Sequence, residues 1–403
     1  MEIRSISPEE FRAYASVWER TFNFDGKDEE LEVEAKHHEL DRSIVAIDGE
    51  DFVGTGGAFS FEMTVPGGSV PAAGLTAIAV LPTHRRRGVL TSMMRYHFDD
   101  VQEREEPVAI LRASESVIYG RFGYGVATRE SSWKLGTRDS AFVVENGPGG
   151  SVSLIASDRA REVMPEIYGR AAIARPGFLS RSEEIWDLIL SDLDSWRGGF
   201  TANRYGLYEE DGVALGYVRY RAKDTWDHDI PKNEILASEL MALNPKAEAE
   251  LWRFMFSLDL VETVKTQNRP TDDLLQILLA DPRRLSSHEV DGLWARLVDV
   301  PAALTARRYR TEGRLVIEVV DPTLPDRGGR FLLEGGPDGA ECRSTGNEPD
   351  LIVDPVALGS CYLGGGSFSS HQSVGRVSGS MEAIRLADTM FSWHRAPWCP
   401  HYF

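Results

Sequence analysis

The sequence predicts a mixed α/β protein of three successive segments, on three observations. Short strand-like runs, separated by the turn signals Asp48-Gly49 and Pro66-Gly67-Gly68, give way after Pro82 to a segment in which Leu90, Met93, Met94, His97, Phe98 and Val101 share one helical face. The same strand-then-helix order returns after a turn-rich stretch at 146–151. With 403 residues, 42% of them hydrophobic, the chain holds enough apolar material for two or three cores of ordinary domain size.

The elements follow in order. Phe11, Tyr14, Val17, Trp18 and Phe22 recur at helical spacing and predict a first helix packed on a core. A charged stretch comes next, then strands over 43–47, 52–63 and 74–80, the long helix after Pro82, and a strand over 108–111. The glycines and proline of 146–151 mark the first boundary. A second unit carries a strand over 152–155, a helix near 181–193, strands near 216–221 and 234–243, and a helix over 248–258. Its order echoes the first unit without an alignable repeat of fixed period. From Gly292 a helix is expected through LWARLVDVPAALTAR, then strands over 315–320 and 330–333 and a helix over 381–391. The expected domains are 1–150, 151–287 and 288–403.

Charge narrows the function classes. Lys+Arg 44 against Asp+Glu 63 gives a net charge of −19, which argues against non-specific binding to nucleic acid or to an anionic membrane and leaves cationic partners open. Cys342, Cys361 and Cys399 lie far apart and are odd in number, so neither a disulfide framework nor a cysteine metal site is expected. No apolar run approaches the roughly 20 residues of a membrane helix. The expectation is a soluble cytoplasmic protein without a metal.

The stretch with most chemical content runs from Leu75 to Thr91: an apolar strand, a proline break, Arg85-Arg86-Arg87, Gly88, then the amphipathic helix. Arginines at a helix N-terminus oppose the macrodipole, so an anion is expected there. Gly88 permits close backbone approach, and free N–H groups of the first turn then point at a phosphate, with arginines adding charge-assisted hydrogen bonds. The competing reading is a solvated basic turn paired with nearby carboxylates. The arrangement Val80-Leu81-Pro82-Thr83-His84-Arg85-Arg86-Arg87-Gly88-Val89-Leu90 resembles the acetyl-CoA signature V-x-P-x-x-[RQ]-x-x-G of the GNAT acetyltransferase superfamily, departing from it at Leu90, where Gly or Ala is usual.

A second stretch, Arg112-Ala-Ser-Glu-Ser-Val-Ile-Tyr-Gly-Arg-Phe-Gly-Tyr-Gly125, is similar to the superfamily motif Y-x-[KR]-x-G-[FY] at Tyr119–Tyr124. Together with Asp291–Trp294, Val300–Leu304, LGSCYLGG at 358–365 and the terminal phenylalanine, these motifs resemble the Eis (enhanced intracellular survival) acetyltransferases along the whole chain. The resemblance implies an α/β (α+β) protein of tandem GNAT domains followed by a sterol-carrier-protein-like domain, assembled as a homohexamer. It implies that Ile78, Ala79 and Val80 bind the acetyl and pantetheine part of acetyl-CoA, that Arg86, Arg87, Gly88, Val89, Leu90 and Thr91 hold its pyrophosphate, and that Ser114 and Glu115 add contacts. Ordinary core packing of Ile78–Val80 is compatible with this, since backbone contacts leave the side chains free.

Amine acetylation needs a group to take a proton from the nitrogen and one to protonate the departing thiolate. The resemblance gives the acid to Tyr119, with Tyr124 structural, and the base to the C-terminal carboxylate of Phe403. The apolar tail ending His401-Tyr402-Phe403 is unusual for a chain end and suggests docking. His401 is a rival base, with a side-chain pKa better suited to the task. Residues 25–50 hold ten carboxylates and three basic residues. They fit a cleft that draws in polycationic amines, or equally a solvated helix face. Phe24 and Asp25 fall where the family lines its acceptor pocket; Arg112 stands where that family often has histidine, and Tyr402 replaces an acidic residue. The second unit reads Leu243-Asn-Pro-Lys where its helix begins, without the cradle, so no cofactor is expected there. The expected activity is acetyl transfer from acetyl-CoA to primary amines such as aminoglycosides, by direct attack in a ternary complex. A protein-lysine or arylalkylamine acetyltransferase with the same cofactor site, or a non-enzymatic acyl-CoA or lipid-binding scaffold, are the alternatives.

Overall fold

In the computed structural model, which describes residues 1–144 and 149–403, a short strand β1 (Glu2–Ser5) leads into α1 (Phe11–Phe22). Phe11, Tyr14, Val17 and Trp18 of α1 are buried as their periodicity predicts, whereas Phe22 is exposed. Asn23 ends the helix in the left-handed conformation that asparagine tolerates. There follow α2 (Asp28–Ala35), β2 (Ile44–Asp48), β3 (Asp51–Val65), β4 (Gly68–Val80), α3 (Val89–Glu103), β5 (Val108–Arg112), α4 (Ser116–Tyr119) and β6 (Gly125–Val126). β1 to β4 form an antiparallel meander, and α3 crosses over so that β5 runs parallel to β4.

One expectation is corrected here. LWARL at 293–297 is a strand and not the start of a helix: Leu293–Leu297 inserts antiparallel between β5 and β6 and completes a seven-stranded sheet. Its five residues are all buried, and a short apolar run buried on both faces cannot be told from a helix by periodicity. The helix begins only at Val300, where Asp299 accepts the Ala302 N–H and Pro301 suits the first turn.

The chain divides into two compact units: Met1–Thr128 with Pro176–Ser180 and Gly292–Phe403, and Arg129–Arg175 with Arg181–Asp291. The expected boundary at 146–151 falls partly on 145–148, outside the described residues. Within the first unit, Pro176–Ser180 runs beside the far end of β3: the Thr64 N–H donates to the Phe178 carbonyl and the Thr64 carbonyl accepts from the Gly177 N–H, both at 2.8 Å. The C-terminal part of this unit is a five-stranded sheet ordered 339–344, 329–336, 313–319, 351–353, 377–379, with helices Pro355–Tyr362, Phe368–Gln372 and Met381–Phe391. Fully buried Arg307 donates to the carbonyls of Tyr362 and Phe391 and so satisfies the C-terminal ends of two of these helices.

The second unit repeats the plan. Its seven-stranded sheet is ordered 286–291, 129–136, 261–270, 233–242, 213–223, 204–210, 151–155, and the helix Pro245–Phe256 links a parallel pair as α3 does. Sequence reading passed over the helix Ser157–Ile173, whose interior Pro165 reads as a breaker.

Candidate active site

The site grows from a strand pair that separates. β4 and β5 pair only from Ala72↔Val108 to Leu75↔Leu111, while β4 continues to Val80. Opposite this extension, Ala77 and Ile78 face the single Gly56 of β3, a bulge in which Ala77 takes φ 51° and its carbonyl accepts from Thr55 Oγ1 at 2.9 Å. Such a bulge sharpens the bend and the twist. The β5-facing backbone of Ile78–Val80 is thereby left without a ladder partner on β5.

Beyond β4 the chain turns through Arg86 (φ 61°) and Gly88 (φ 81°), both left-handed. A Cβ at Gly88 would meet nothing within 4 Å, so glycine is needed there for its conformation and not for space. Arg86 holds the same region without that freedom, at a local cost of order 1 kcal/mol. α3 then opens with no acidic residue in its first turn and no side-chain cap, so its leading N–H groups remain available to an anion.

A cavity of about 370 Å³ lies in this gap. It brings together Ile78, Ala79 and Val80, the turn residues Arg86 and Gly88, Val89, Leu90 and Thr91 of α3, Ser114 and Glu115 after β5, and Tyr119. Arg87, Phe24, Asp25, Arg112, Tyr402 and Phe403 are not among its lining residues. Six lining residues were not among the expected ones: Thr21 and Phe22 at the end of α1, His84 and Arg85 in the basic turn itself, Ile118 and Arg121. Phe22 sat in the apolar pattern of α1, yet it is the member of that pattern that stays exposed.

Tyr119 ends α4 and is nearly buried. Burial, reinforced by Glu115, pushes its phenol up to about 12. Tyr124 meets it ring to ring at 6.2 Å but is wholly inside the core, with its hydroxyl 3.3 Å from His97 Nε2. The tail docks elsewhere on the same sheet. The Phe403 ring packs on Phe61 at 5.1 Å, His401 is buried beside both, and Trp398 donates its N–H to the Pro176 carbonyl at 2.9 Å. Arg112 donates to the carbonyls of His401 and Cys399, both at 2.9 Å, and stacks on the Tyr402 ring at 3.7 Å.

In the second unit the corresponding features differ. The helix Pro245–Phe256 is capped by Asn244, whose side chain accepts from Ala247 N–H at 2.8 Å. Where its parallel strands part, Arg269 donates to the Leu240 carbonyl at 2.6 Å and pairs with Asp273. Among the described residues no group of three or more His, Cys, Asp or Glu is placed to hold a metal, and no helix is long and apolar enough to cross a membrane.

Comparison with known proteins agrees with this plan. Models of an acetyltransferase (GNAT) domain match residues 2–127 and again 177–297, and a sterol carrier protein domain model matches 300–400. An uncharacterized N-acetyltransferase of Streptomyces avermitilis is 42% identical over 381 residues, 93% of this chain and 92% of its own. The N-acetyltransferase Eis of Mycobacterium tuberculosis is 35% identical over 353 residues, covering 85% and 84%. The crystal structure of Eis1 from Mycobacterium abscessus superimposes with a TM-score of 0.87 at 34% identity, covering both chains fully. A GCN5-related N-acetyltransferase from Anabaena variabilis shares the fold, with a TM-score of 0.88 at 22% identity over the full length of both chains.

Proposed function

The chain belongs to the Eis-type N-acetyltransferases of the GNAT superfamily, and on that premise we propose that the cavity between β4 and β5 takes acetyl-CoA and that the acceptors are primary amines of polycationic small molecules, aminoglycosides included. The observation that carries this reading is the convergence in one cavity of partnerless strand backbone, the left-handed Arg86–Gly88 turn, an uncapped helix N-terminus and a buried tyrosine. Acetyl-CoA would supply the acetyl group as an activated thioester. Ile78–Val80 would align its amide-bearing arm, and Arg86 with the N–H groups of Val89, Leu90 and Thr91 would hold the pyrophosphate. Ser114 and Glu115 face the same space.

Tyr119 lines the cavity and is protonated at neutral pH, so it has a proton to give to the sulfur as the C–S bond breaks; burial, which raises its pKa to about 12, makes it a weaker acid, so the transfer would have to be driven by the charge building on the leaving sulfur. The terminal carboxylate of Phe403 would accept the proton that leaves the amine. All three cysteines are buried and outside any disulfide, and none lines the cavity, which supports direct attack without an acetyl-cysteine intermediate. The acidic first turn of α2, Asp28 to Glu30, follows the cavity-lining Phe22 by a few residues and supports a cationic acceptor. The family resemblance extends the proposal to a cytoplasmic homohexamer, which sedimentation of the purified chain would test.

The experiment is thiol release from acetyl-CoA with kanamycin, neomycin, spermine, a lysine peptide and tryptamine. Turnover on the aminoglycosides, reduced about 10²- to 10⁴-fold by Tyr119→Phe, is expected. Turnover confined to the peptide or tryptamine would overturn the acceptor class, and an unchanged Tyr119→Phe enzyme would overturn the acid.

A further inference from the structure

We infer that Arg112 is a positioning residue: by clamping the end of the chain onto β5, it sets where the carboxylate of Phe403 lies relative to the gap between β4 and β5. The inference rests on the proposal that this carboxylate is the base.

Arg112 is the last residue of β5 and comes immediately after the final pair, Leu75↔Leu111. It therefore stands where the strands begin to part. One edge of its guanidinium serves two backbone carbonyls, His401 through Nε and Cys399 through a terminal nitrogen, while its face lies on the Tyr402 ring. Three of the last five residues are thus held by one planar group, a use that a single ammonium cannot reproduce.

The other anchor is on β4. Ala73 and Leu75 belong to the core cluster around Met94 and Phe98 of α3. Alternation along the strand then turns Gly74 to the opposite face, where a Cβ would come within 3.0 Å of the Phe403 ring and 2.5 Å of Phe61. The tail is pinned by its ring against β4 and by its backbone against β5, on both sides of the place where the pair opens. The Cys399 thiol adds a contact of 3.4 Å to the same His401 carbonyl. With the carboxylate only two residues beyond His401, loss of the clamp frees it to move, and a displacement of about 1 Å at a reacting group can cost roughly 100-fold in rate.

The test combines Arg112→Met, Arg112→Lys, deletion of Phe403, and the deletion with Arg112→Met, each read as kcat, the KM for acetyl-CoA and a melting midpoint. Arg112→Met should lower kcat about 10- to 100-fold with the acetyl-CoA KM within about twofold. Arg112→Lys, which can reach one carbonyl, should recover part of the loss and serves also if the methionine variant does not fold. In the deletion background Arg112→Met should cost nothing more, because its effect passes through the missing group. If the deletion abolishes turnover while Arg112→Met leaves kcat intact, or if the two losses multiply, the positioning role is wrong and the base proposal survives. If the deletion leaves kcat intact, the base proposal falls and the positioning role with it.

Discussion

Arg296→Met should be among the most damaging single changes in this protein. Arg296 lies on the strand Leu293–Leu297; its side chain is 0% exposed, and that of its ion-pair partner Asp321 only 4%. It also donates to the Phe122 carbonyl, just after Tyr119, and lies 4.8 Å over the Phe98 ring. A Cβ on Gly123 (φ 82°) would overlap the guanidinium, so this motif glycine is required twice, for its conformation and for the space it leaves. Methionine preserves much of the volume but strands the Asp321 carboxylate. Breaking a buried pair from one side costs about 3–5 kcal/mol. Asp321 keeps the N–H groups of Thr323 and Leu324 at 2.9 Å through its other oxygen, which favours the lower half of that range. At roughly 2–4 °C per kcal/mol for a unit of this size, the melting midpoint should fall by about 6–16 °C. Differential scanning calorimetry would measure it, with Arg296→Met/Asp321→Leu as the companion. Removing both charges should recover much of the loss, since an apolar replacement of both partners is often close to neutral. A fall of less than about 2 °C, or a double variant worse than the single, would refute the claim that uncompensated charge is the cause.

Two further outcomes can be checked directly. Glu248 is raised to about 8, first by burial and then by Asp273, against an ordinary value of 4.5. A raised carboxyl contributes fully below its unfolded value and loses that contribution as pH climbs through its folded one, so stability should drop between about pH 4.5 and 8. Glu248→Gln should flatten that slope and be more stable than wild type at pH 8, and equal urea midpoints for the wild type at pH 5 and pH 8 would contradict it. Arg86→Gly removes a cation and also a left-handed non-glycine residue. The KM for acetyl-CoA should rise about tenfold or more, in line with a lost charge-assisted hydrogen bond, while the melting midpoint holds or rises. A fall in both affinity and stability would mean that Arg86 supports the fold and not the ligand.

What could be read from the sequence was what lies close together in it. Val80, the Arg86–Gly88 turn and α3 are consecutive, so strand, break, glycine and amphipathic face report one cradle. Tyr119 follows within a short connection and carries its own glycine-rich surroundings. Arg112 shows the limit. Its acceptors lie 289 and 287 residues away, and nothing in the residues around it reports a clamp on the chain end. The motif pointed to an acceptor pocket, whereas the guanidinium is engaged with the tail. Leu293–Leu297 fails for a related reason: burial on both faces erased the alternation that distinguishes strand from helix. Phe22 was visible as an apolar residue in a helical pattern, but only its exposure at the cavity separates it from Phe11 and Trp18.

The inserted strand makes the site a property of both ends of the chain. Leu293 pairs with Arg112, which holds the tail, while Arg296, three residues on, pairs with Ala109 and fixes the carbonyl of Phe122 beside the tyrosine segment. Without Leu293–Leu297, β5 would be an open edge and β6 would have no neighbour in the sheet, since both are bridged only by that strand. The cradle at β4 and α3 is built from residues close together in the chain. The groups proposed to move protons depend on contacts that span well over a hundred residues of chain. Damage to the C-terminal part should therefore impair the acid and the base before it impairs the cradle.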